Sequence, residues 1–263
     1  MITVLGATGF IGSNIVELLQ RGNIEHYAPA RNEILTGKKL GHVIYCIGLT
    51  ADFRSRPFDT VEAHVCALAQ ILQHGDFESL TYLSSARVYI NCNQSLVNEY
   101  AVIPVHPFDR DELYTLTKLT GERLCLSSGK KTKIVRLSNA YGKNMNPDNF
   151  LQQVLKTITT EKVLSLQASL SSAKDYIHIE DAAALIIKIA TIGREAAYNV
   201  GSGTNTSNEE IINEFKRHFD FSLDVSNIGK EIIFPELDIN RIKNEFNYVP
   251  KNILKDIHLI NTA

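Results

Sequence analysis

The sequence predicts an α/β fold: a doubly wound parallel sheet with a small α+β lobe in the C-terminal part. Three observations lead to it. Short apolar runs alternate with amphipathic segments up to residue 140, a glycine triplet follows the first run, and the pattern is less regular afterwards. Strands that alternate with helices form parallel sheets covered on both faces. We expect the sheet domain to comprise residues 1–140 and about 178–203, and the lobe about 141–177 and 204–263.

The elements follow from apolar periodicity. ITVL at residues 2–5 is a buried strand, and the apolar residues from Ile11 to Leu19 share one face of a helix that ends near Gly22. Further strands are predicted at 24–30, 43–47, 80–84, 134–137 and 198–201. Further helices are predicted after Pro57, around Tyr114 and Lys118, and at about 148–160, 181–192 and 208–219.

Composition excludes several classes of function. The net charge of −2 gives no electrostatic reason to expect nucleic acid or an anionic membrane as partner. The four cysteines, Cys46, Cys66, Cys92 and Cys125, lack metal-site or disulfide spacing. The N-terminus has no signal-peptide pattern, and the apolar runs are too short to span a bilayer. We therefore expect a cytoplasmic protein without a metal site.

The glycine triplet GATGFIG lies between the first strand and the first helix. A strand that turns sharply into a helix lets a pyrophosphate approach the N–H groups of the helix N-terminus. This context predicts a Rossmann-type dinucleotide site. Its residues are Gly6, Thr8, Gly9, Phe10, Ile11 and Gly12.

The end of the second strand bears on the choice of dinucleotide. NAD enzymes usually place an acid there, against the ribose 2′-hydroxyl. This chain has Arg31, which suits a 2′-phosphate, so the sequence favours NADP over NAD. Asn32 or Glu33 remain alternatives for binding the ribose.

Seven motifs occur in one order along the chain. They are GATGFIG (6–12), VIYCIG (43–48), LSSARVY (83–89), LYTLTKLTGE (113–122), RLSNAYG (136–142), KDYIHIED (174–181) and AYNVGSG (197–203). Together they resemble the extended short-chain dehydrogenase/reductase family, in its NAD-dependent nucleotide-sugar epimerase, dehydratase and reductase branch. Any one motif alone is weak evidence, and the Tyr-x-x-x-Lys pair by itself occurs at the level of chance.

The resemblance implies catalysis by Ser85, Tyr114 and Lys118. Lys118 would favour the Tyr114 phenolate from the same helix face and reach the nicotinamide ribose, and Ser85 would bind the reacting sugar oxygen. It also implies that Ile47 and Gly48 pack beside the cofactor. The substrate contacts it suggests are Ser85, Arg87 and Asn139. Ser84 and Glu122 are interpreted as a structural residue and a helix-surface residue.

Departures from the family pattern narrow the reaction. Ala86 and Arg87 stand where the dehydratases of this branch have two acids, so 4,6-dehydration is not expected. The favoured function is an NADP-dependent nucleotide-sugar 4-ketoreductase. The alternatives are a 4-epimerase that retains NAD and a non-catalytic NAD(P)-binding sensor or scaffold.

Other positions are interpreted as structural rather than catalytic. His64 stands where the family more often has Asn, and is interpreted as a tolerated polar residue. Lys174 replaces an Arg, and His178 is interpreted as a structural hydrogen-bonding residue. The resemblance also suggests a homodimer through the helices near 57–73 and 107–128.

Overall fold

The computed structural model describes residues 1–50, 52–143, 145, 147, 149–225, 229–257 and 260. The strands are β1 Ile2–Leu5, β2 His26–Tyr27, β3 His42–Tyr45, β4 Ser79–Ser85, β5 Leu96–Val97, β6 Thr132–Leu137, β7 Asn139–Tyr141, β8 Val163–Ser165, β9 Ala173–His178, β10 Ala197–Val200, β11 Asn205–Ser207, β12 Ser222–Asp224 and β13 Glu236–Leu237. The helices are α1 Phe10–Arg21, α2 Pro57–Val61, α3 Ala67–His74, α4 Glu112–Ser127, α5 Phe150–Thr160, α6 Ile179–Ile192, α7 Asn208–His218, α8 Asn240–Phe246 and α9 Ile253–Asp256.

Six parallel strands form the large sheet, in the order β2-β1-β3-β4-β6-β10. This confirms the predicted fold class. The chain adds β2 on one side of β1 and then crosses to add β3 on the other side. In open parallel sheets a ligand binds at such a switch point, beyond the carboxyl ends of the strands. The fold therefore places the candidate site at the ends of β1 and β3.

Alternation along the strands explains why both faces of the sheet are covered. Ile2 and Val4 face α1 and α6, whereas Leu5 faces the opposite side. The first face buries Ile15, Leu19, Ile44, Val135 and Ile186, and the second buries Val43, Tyr45, Leu68, Leu72, Leu80 and Cys125. The predicted strand at 24–30 is reduced to a pair, His26–Tyr27, and Pro29 beyond it has no N–H for a longer ladder.

The helix after β3 contains an irregular turn. A π-turn at Glu62–Cys66 separates α2 from α3, and it contains His64. Such a turn inserts one extra residue into the helix and often marks a functional site.

The lobe consists of a second group of elements. It has a three-stranded sheet in the order β11-β9-β7, a β8–β12 pair, and helices α5, α7 and α9. Its separate apolar core includes Tyr141, Leu151, Leu155, Tyr176 and Phe215. The start of the helix predicted at 148 lies outside the described residues. The domain boundaries remain a prediction.

Within the described residues, no helix has the length and apolar character that a membrane span requires.

Candidate active site

A cavity of about 970 Å³ lies at the carboxyl ends of the large sheet, between this sheet and the lobe. It is lined by all the predicted site residues except two: Thr8, Gly9, Phe10, Ile11, Gly12, Ile47, Gly48, Ser85, Arg87, Tyr114, Lys118 and Asn139. The exceptions are Gly6, which shapes the turn beneath the cavity, and Arg31. Proximity to one cavity makes these residues available to a common ligand.

The glycine turn leaves no room for side chains at two positions. Gly6 has φ +83°, and a Cβ there would lie 2.9 Å from the backbone of Cys46 and Ile47. A Cβ on Gly12 would lie 2.3 Å from the Gly6 carbonyl oxygen. Gly9 precedes α1 without a side-chain cap, and the first turn of α1 carries no acid. The first N–H groups of α1 are thus suited to an anion, which fits the pyrophosphate of a dinucleotide.

Lys118 is a buried cation with little compensation. It is 4 % exposed, and its Nζ donates to the Leu83 carbonyl oxygen at 2.9 Å. Burial lowers the pKa of Lys118 to about 7, although Glu122 and Cys46 act in the opposite direction. The charge of this lysine therefore depends on its surroundings near neutral pH.

Tyr114 lies four residues before Lys118 on the same face of α4. Its ring is 4 % exposed, and the Lys118 Nζ lies 5.9 Å from the ring centroid. Burial raises the pKa of Tyr114, while a hydrogen bond with the Ser85 hydroxyl and the charge of Arg87 lower it. The phenol is therefore protonated near neutral pH in this structure.

His64 is fully buried beside this pair. Its ring meets the Tyr114 ring edge-on at 5.4 Å between centroids. The Thr117 hydroxyl donates to backbone carbonyls, so it accepts from His64 Nδ1 at 2.9 Å, and Nε2 accepts the Leu49 N–H at 3.2 Å. Burial lowers the pKa of His64 to about 3, so the ring is neutral. His64 fixes the backbone after Gly48 against α4, which is more than a tolerated polar position.

The interpretation of Glu122 as a surface residue is wrong. Its side chain is 4 % exposed, and it accepts hydrogen bonds from Arg136 Nε at 3.0 Å and Nη2 at 2.6 Å. Ser84 Oγ donates to the same carboxylate at 2.5 Å, which is a structural contact. A charge on a helix predicts exposure only when no partner is available in the core, and here Arg136 on β6 is that partner.

Arg87 projects from the short 3₁₀ turn after β4. Its backbone N–H donates to Ser85 Oγ at 3.2 Å. Its Nη2 lies 3.6 Å from an Asp111 oxygen, but Arg54 already binds both oxygens of that carboxylate at 2.5 Å. The guanidinium groups of Arg54 and Arg87 lie 4.5 and 5.7 Å from the ring centroid of Phe53.

Sequence reasoning missed Phe53, Arg54 and Asp111. Phe53 is 2 % exposed and contacts the Tyr114 ring, with 5.4 Å between centroids. The only sequence signal was a Phe among charged residues just after VIYCIG.

The lobe contributes polar groups to the cavity wall that it forms. Lys174 Nζ lies 5.4 Å from the ring centroids of Phe150 and Tyr176, and burial and Arg87 lower the pKa of Lys174 to about 8. Asn139 Nδ2 donates to the Asp175 carbonyl oxygen at 2.9 Å, and Lys230 also lines the cavity. His178 accepts the Glu180 N–H at the start of α6, as expected for a structural residue.

The residues that directly follow β2, including Arg31 and Glu33, do not line the cavity. Arg31 is exposed and is not among the lining residues. Glu33 accepts the Ala30 N–H and hydrogen bonds from Tyr27 and Lys38. The bond from Lys38 is the main reason why the pKa of Glu33 falls to about 2.

Across the described part of the chain, no group of three or more His, Cys, Asp or Glu side chains is arranged to hold a metal ion.

Two curated proteins are similar to this chain. A putative UDP-glucose 4-epimerase of Methanocaldococcus jannaschii is 25 % identical over 258 residues, which cover 84 % of this chain and 83 % of that protein. The uncharacterized UDP-glucose epimerase YtcB of Bacillus subtilis is 24 % identical and covers 97 % of this chain and 94 % of that protein.

A solved structure shares the fold. MoeE5 in complex with UDP-glucose and NAD superimposes with a TM-score of 0.81 at 17 % identity, over 98 % of this chain and 96 % of that chain. The family model described as NAD dependent epimerase/dehydratase matches residues 2–201. This match covers most of the chain, including the glycine turn and the Ser85, Tyr114 and Lys118 positions, and the protein therefore belongs to the NAD dependent epimerase/dehydratase family.

Proposed function

We propose that this enzyme oxidises and reduces C4 of a nucleotide-linked sugar with a nicotinamide dinucleotide. The observation that carries the proposal is that Ser85, Tyr114 and Lys118 line the same cavity as the uncapped N-terminus of α1. The cofactor would supply the group that accepts and donates the hydride, and the three side chains would bind the sugar oxygen and transfer its proton.

Each side chain has a role that follows from its surroundings. Ser85 Oγ is suited to hold the sugar O4 next to the Tyr114 hydroxyl. Tyr114 accepts the O4 proton during oxidation and returns it during reduction. Lys118, buried and held at the Leu83 carbonyl, supplies a positive charge beside the phenol when it is protonated. Bound nicotinamide would take a hydride from C4 and give it back.

Dehydration does not suit this site, although dehydratases share the family name. Ala86 is buried and has no acid–base group, and Arg87 is a cation. The nearby carboxylate of Asp111 is bound by Arg54 through two hydrogen bonds of 2.5 Å. Among the described lining residues Asp175 is the single carboxylic acid, and its oxygens already accept hydrogen bonds from residues 202–204, so the cavity offers no free carboxylate to remove a proton from C5.

The two remaining reactions are 4-epimerisation and 4-ketoreduction. The names of both curated relatives favour the epimerase. The ketoreductase rests on Arg31, whose exposed guanidinium suits the 2′-phosphate of NADP. We place the epimerase first because Arg31 does not line the cavity, and the ketoreductase second.

One experiment separates these reactions. The purified enzyme is incubated with NAD⁺ and UDP-glucose or UDP-galactose, and with NADPH and 4-keto nucleotide sugars. An epimerase interconverts the C4 epimers without net change in nicotinamide absorbance, whereas a ketoreductase consumes NADPH. If neither reaction occurs with any of these sugars, the proposed function is wrong and a non-catalytic role gains support.

Cofactor choice has its own test. Arg31→Ala should weaken binding of NADP⁺ but not of NAD⁺ if Arg31 binds a 2′-phosphate. Glu33→Gln should instead weaken NAD⁺ if this carboxylate binds the ribose. Calorimetric titration of both dinucleotides into wild type and the two variants decides between them.

We also propose a homodimer through α2 and α4. Phe58 is 87 % exposed on α2, and Leu116 and Leu126 are 38 % and 50 % exposed on α4. Burying these side chains against a second copy would remove apolar area from water. Light scattering should give twice the mass of the chain for wild type and the mass of one chain for Phe58→Asp/Leu116→Asp. A monomeric wild type would contradict the proposal.

A further inference from the structure

The cavity has an excess of positive charge. Four of the described lining residues are basic: Arg87, Lys118, Lys174 and Lys230. The acid among them, Asp175, already accepts the backbone N–H groups of residues 202–204 and the Ser202 hydroxyl. Buried or partly buried cations require an anionic partner, so the ligand is expected to bring negative charge.

Arg87 is incompletely partnered for an arginine that lines this cavity. Its Nε is buried and has no hydrogen-bond acceptor among the described residues. Its Nη2 approaches Asp111 only to 3.6 Å, since Arg54 occupies both oxygens of that carboxylate. An arginine offers a planar fork of donors that matches a carboxylate or phosphate. Arg87 lines the cavity, which makes its guanidinium available to such a group.

Arg87 is close to the reacting end of the sugar. It is two residues from Ser85, to which its own N–H donates, and its charge acts on Tyr114. A group bound by Arg87 must therefore lie near the oxygen that Ser85 and Tyr114 hold. In a hexopyranose reacting at C4, the C5 substituent is next to the reacting carbon, whereas C1 and its diphosphate lie across the ring.

Two cations remain for the diphosphate. Lys174 lies in the cavity wall formed by the lobe, where its Nζ lies over the rings of Phe150 and Tyr176. Lys230 lines the same cavity from the segment after β12. Neither amine has an ion-pair partner within 4.0 Å among the described residues. Two cations other than Arg87 are therefore available to the diphosphate.

We infer that the sugar carries a carboxylate at C5, so that the substrate class is a nucleotide-linked hexuronic acid, and that Arg87 selects it. The inference rests on the proposed function, since it takes the reacting oxygen to lie between Ser85 and Tyr114. Arg87 acts as a specificity-determining residue whose guanidinium pairs with the carboxylate.

The test measures binding of acidic and neutral sugars that share a nucleotide. The pairs are UDP-glucuronic acid with UDP-glucose, UDP-galacturonic acid with UDP-galactose, and GDP-mannuronic acid with GDP-mannose. Each is titrated calorimetrically into the full chain with NAD⁺ present, in a Tyr114→Phe background that blocks turnover. Arg87→Met is compared with Arg87→Lys and with Lys230→Met, which removes another cation of the same cavity. Thermal unfolding shows whether each variant is folded.

We expect the acidic member of at least one pair to bind about 10- to 100-fold more tightly than its neutral partner. Arg87→Met should abolish this preference and Arg87→Lys should retain part of it. Lys230→Met should weaken both members equally. If Arg87→Met does not fold, loss of preference in Arg87→Lys decides the question.

Three results would overturn the inference. They are equal binding of both members, a preference that survives in Arg87→Met, and no detectable binding of any acidic sugar. Turnover by the unmodified enzyme separates this failure from that of the proposed function. Interconversion of neutral sugars without binding of acidic ones overturns the inference alone, whereas no turnover and no binding in any pair overturns both.

Discussion

Two buried cations on neighbouring elements of the large sheet domain have opposite surroundings. Arg136 on β6 binds the Glu122 carboxylate at 2.6 and 3.0 Å, and also the Tyr89 hydroxyl at 2.6 Å and the Glu99 carbonyl oxygen at 3.1 Å. Within the part of the chain that the structure describes, Lys118 on α4 has one hydrogen bond from its Nζ, to the Leu83 carbonyl oxygen. The first group is fully partnered, and the second is directed into the cavity.

The difference appears in the protonation of the two groups. Burial opposes the charge on both. For Arg136 the hydrogen-bonded Glu122 carboxylate overcomes this effect and raises the pKa, whereas for Lys118 burial prevails and the pKa falls to about 7. We infer that complete partnering serves stability and that incomplete partnering serves chemistry. The neighbouring serines repeat this contrast: Ser84 Oγ bonds the buried Glu122, and Ser85 faces Tyr114 in the cavity.

The largest expected effect on stability comes from breaking the partnered group. Glu122→Gln leaves the Arg136 guanidinium buried without a counter-charge, which should lower the free energy of unfolding by about 3–5 kcal/mol. Urea unfolding measures this difference. Glu17→Gln, which breaks the exposed Arg21–Glu17 pair, should change it by less than about 1 kcal/mol. Equal losses of unfolding free energy for the two substitutions would show that the buried pair stabilises the fold no more than an exposed pair does.

Replacing Lys118, the incompletely partnered cation, should raise the free energy of unfolding rather than lower it. Below pH 7 the Lys118 amine is charged in the folded and unfolded chains, so the burial of its charge opposes folding in full. From about pH 7 to its ordinary pKa of 10.5, only the unfolded chain keeps the proton, and this opposition falls by about 1.4 kcal/mol per pH unit. Lys118→Met should therefore stabilise the cofactor-free protein, by about 2–3 kcal/mol more at pH 6 than at pH 9.

Unfolding of wild type and Lys118→Met at both pH values checks this prediction. Lys156→Met is the control, because Lys156 is exposed on α5 and its replacement should leave the pH dependence unchanged. A gain in stability that is the same at pH 6 and pH 9 would mean that Lys118 has a partner at the site.

The smallest effect is expected from the two serines. Ser84→Ala removes a hydrogen bond to a buried carboxylate and should cost about 1–3 kcal/mol of stability, with turnover close to wild type. Ser85→Ala should leave stability within about 0.5 kcal/mol and lower turnover instead. Chemical unfolding and initial rates on the same preparations give both values. If Ser84→Ala lowered turnover and Ser85→Ala lowered stability instead, the contrast between the two serines would be contradicted.

The features that could be predicted from the sequence are those set by local pattern. Tyr114 and Lys118 share a helix face because they are four residues apart, and the glycine turn follows from its position between a strand and a helix. The alternation of strands and helices gave the sheet for the same reason.

What could not be predicted depends on pairs distant in the chain. Glu122 looked exposed because its partner Arg136 lies on another strand, and Arg54 reaches Asp111 across 57 positions. Arg31 appeared suited to the cofactor by its place after β2, but the short β2 leaves it exposed outside the cavity. Periodicity carries no information on which charges meet.

The central claim is that Tyr114 is the acid–base group of this cavity. The rate of hydride transfer in a single turnover of Tyr114→Phe, with NAD⁺ and a sugar that the wild type converts, tests it most directly. We expect a rate about 10³-fold below wild type, in the range for loss of a general acid–base group, with dinucleotide affinity unchanged. A rate within threefold of wild type would contradict the claim.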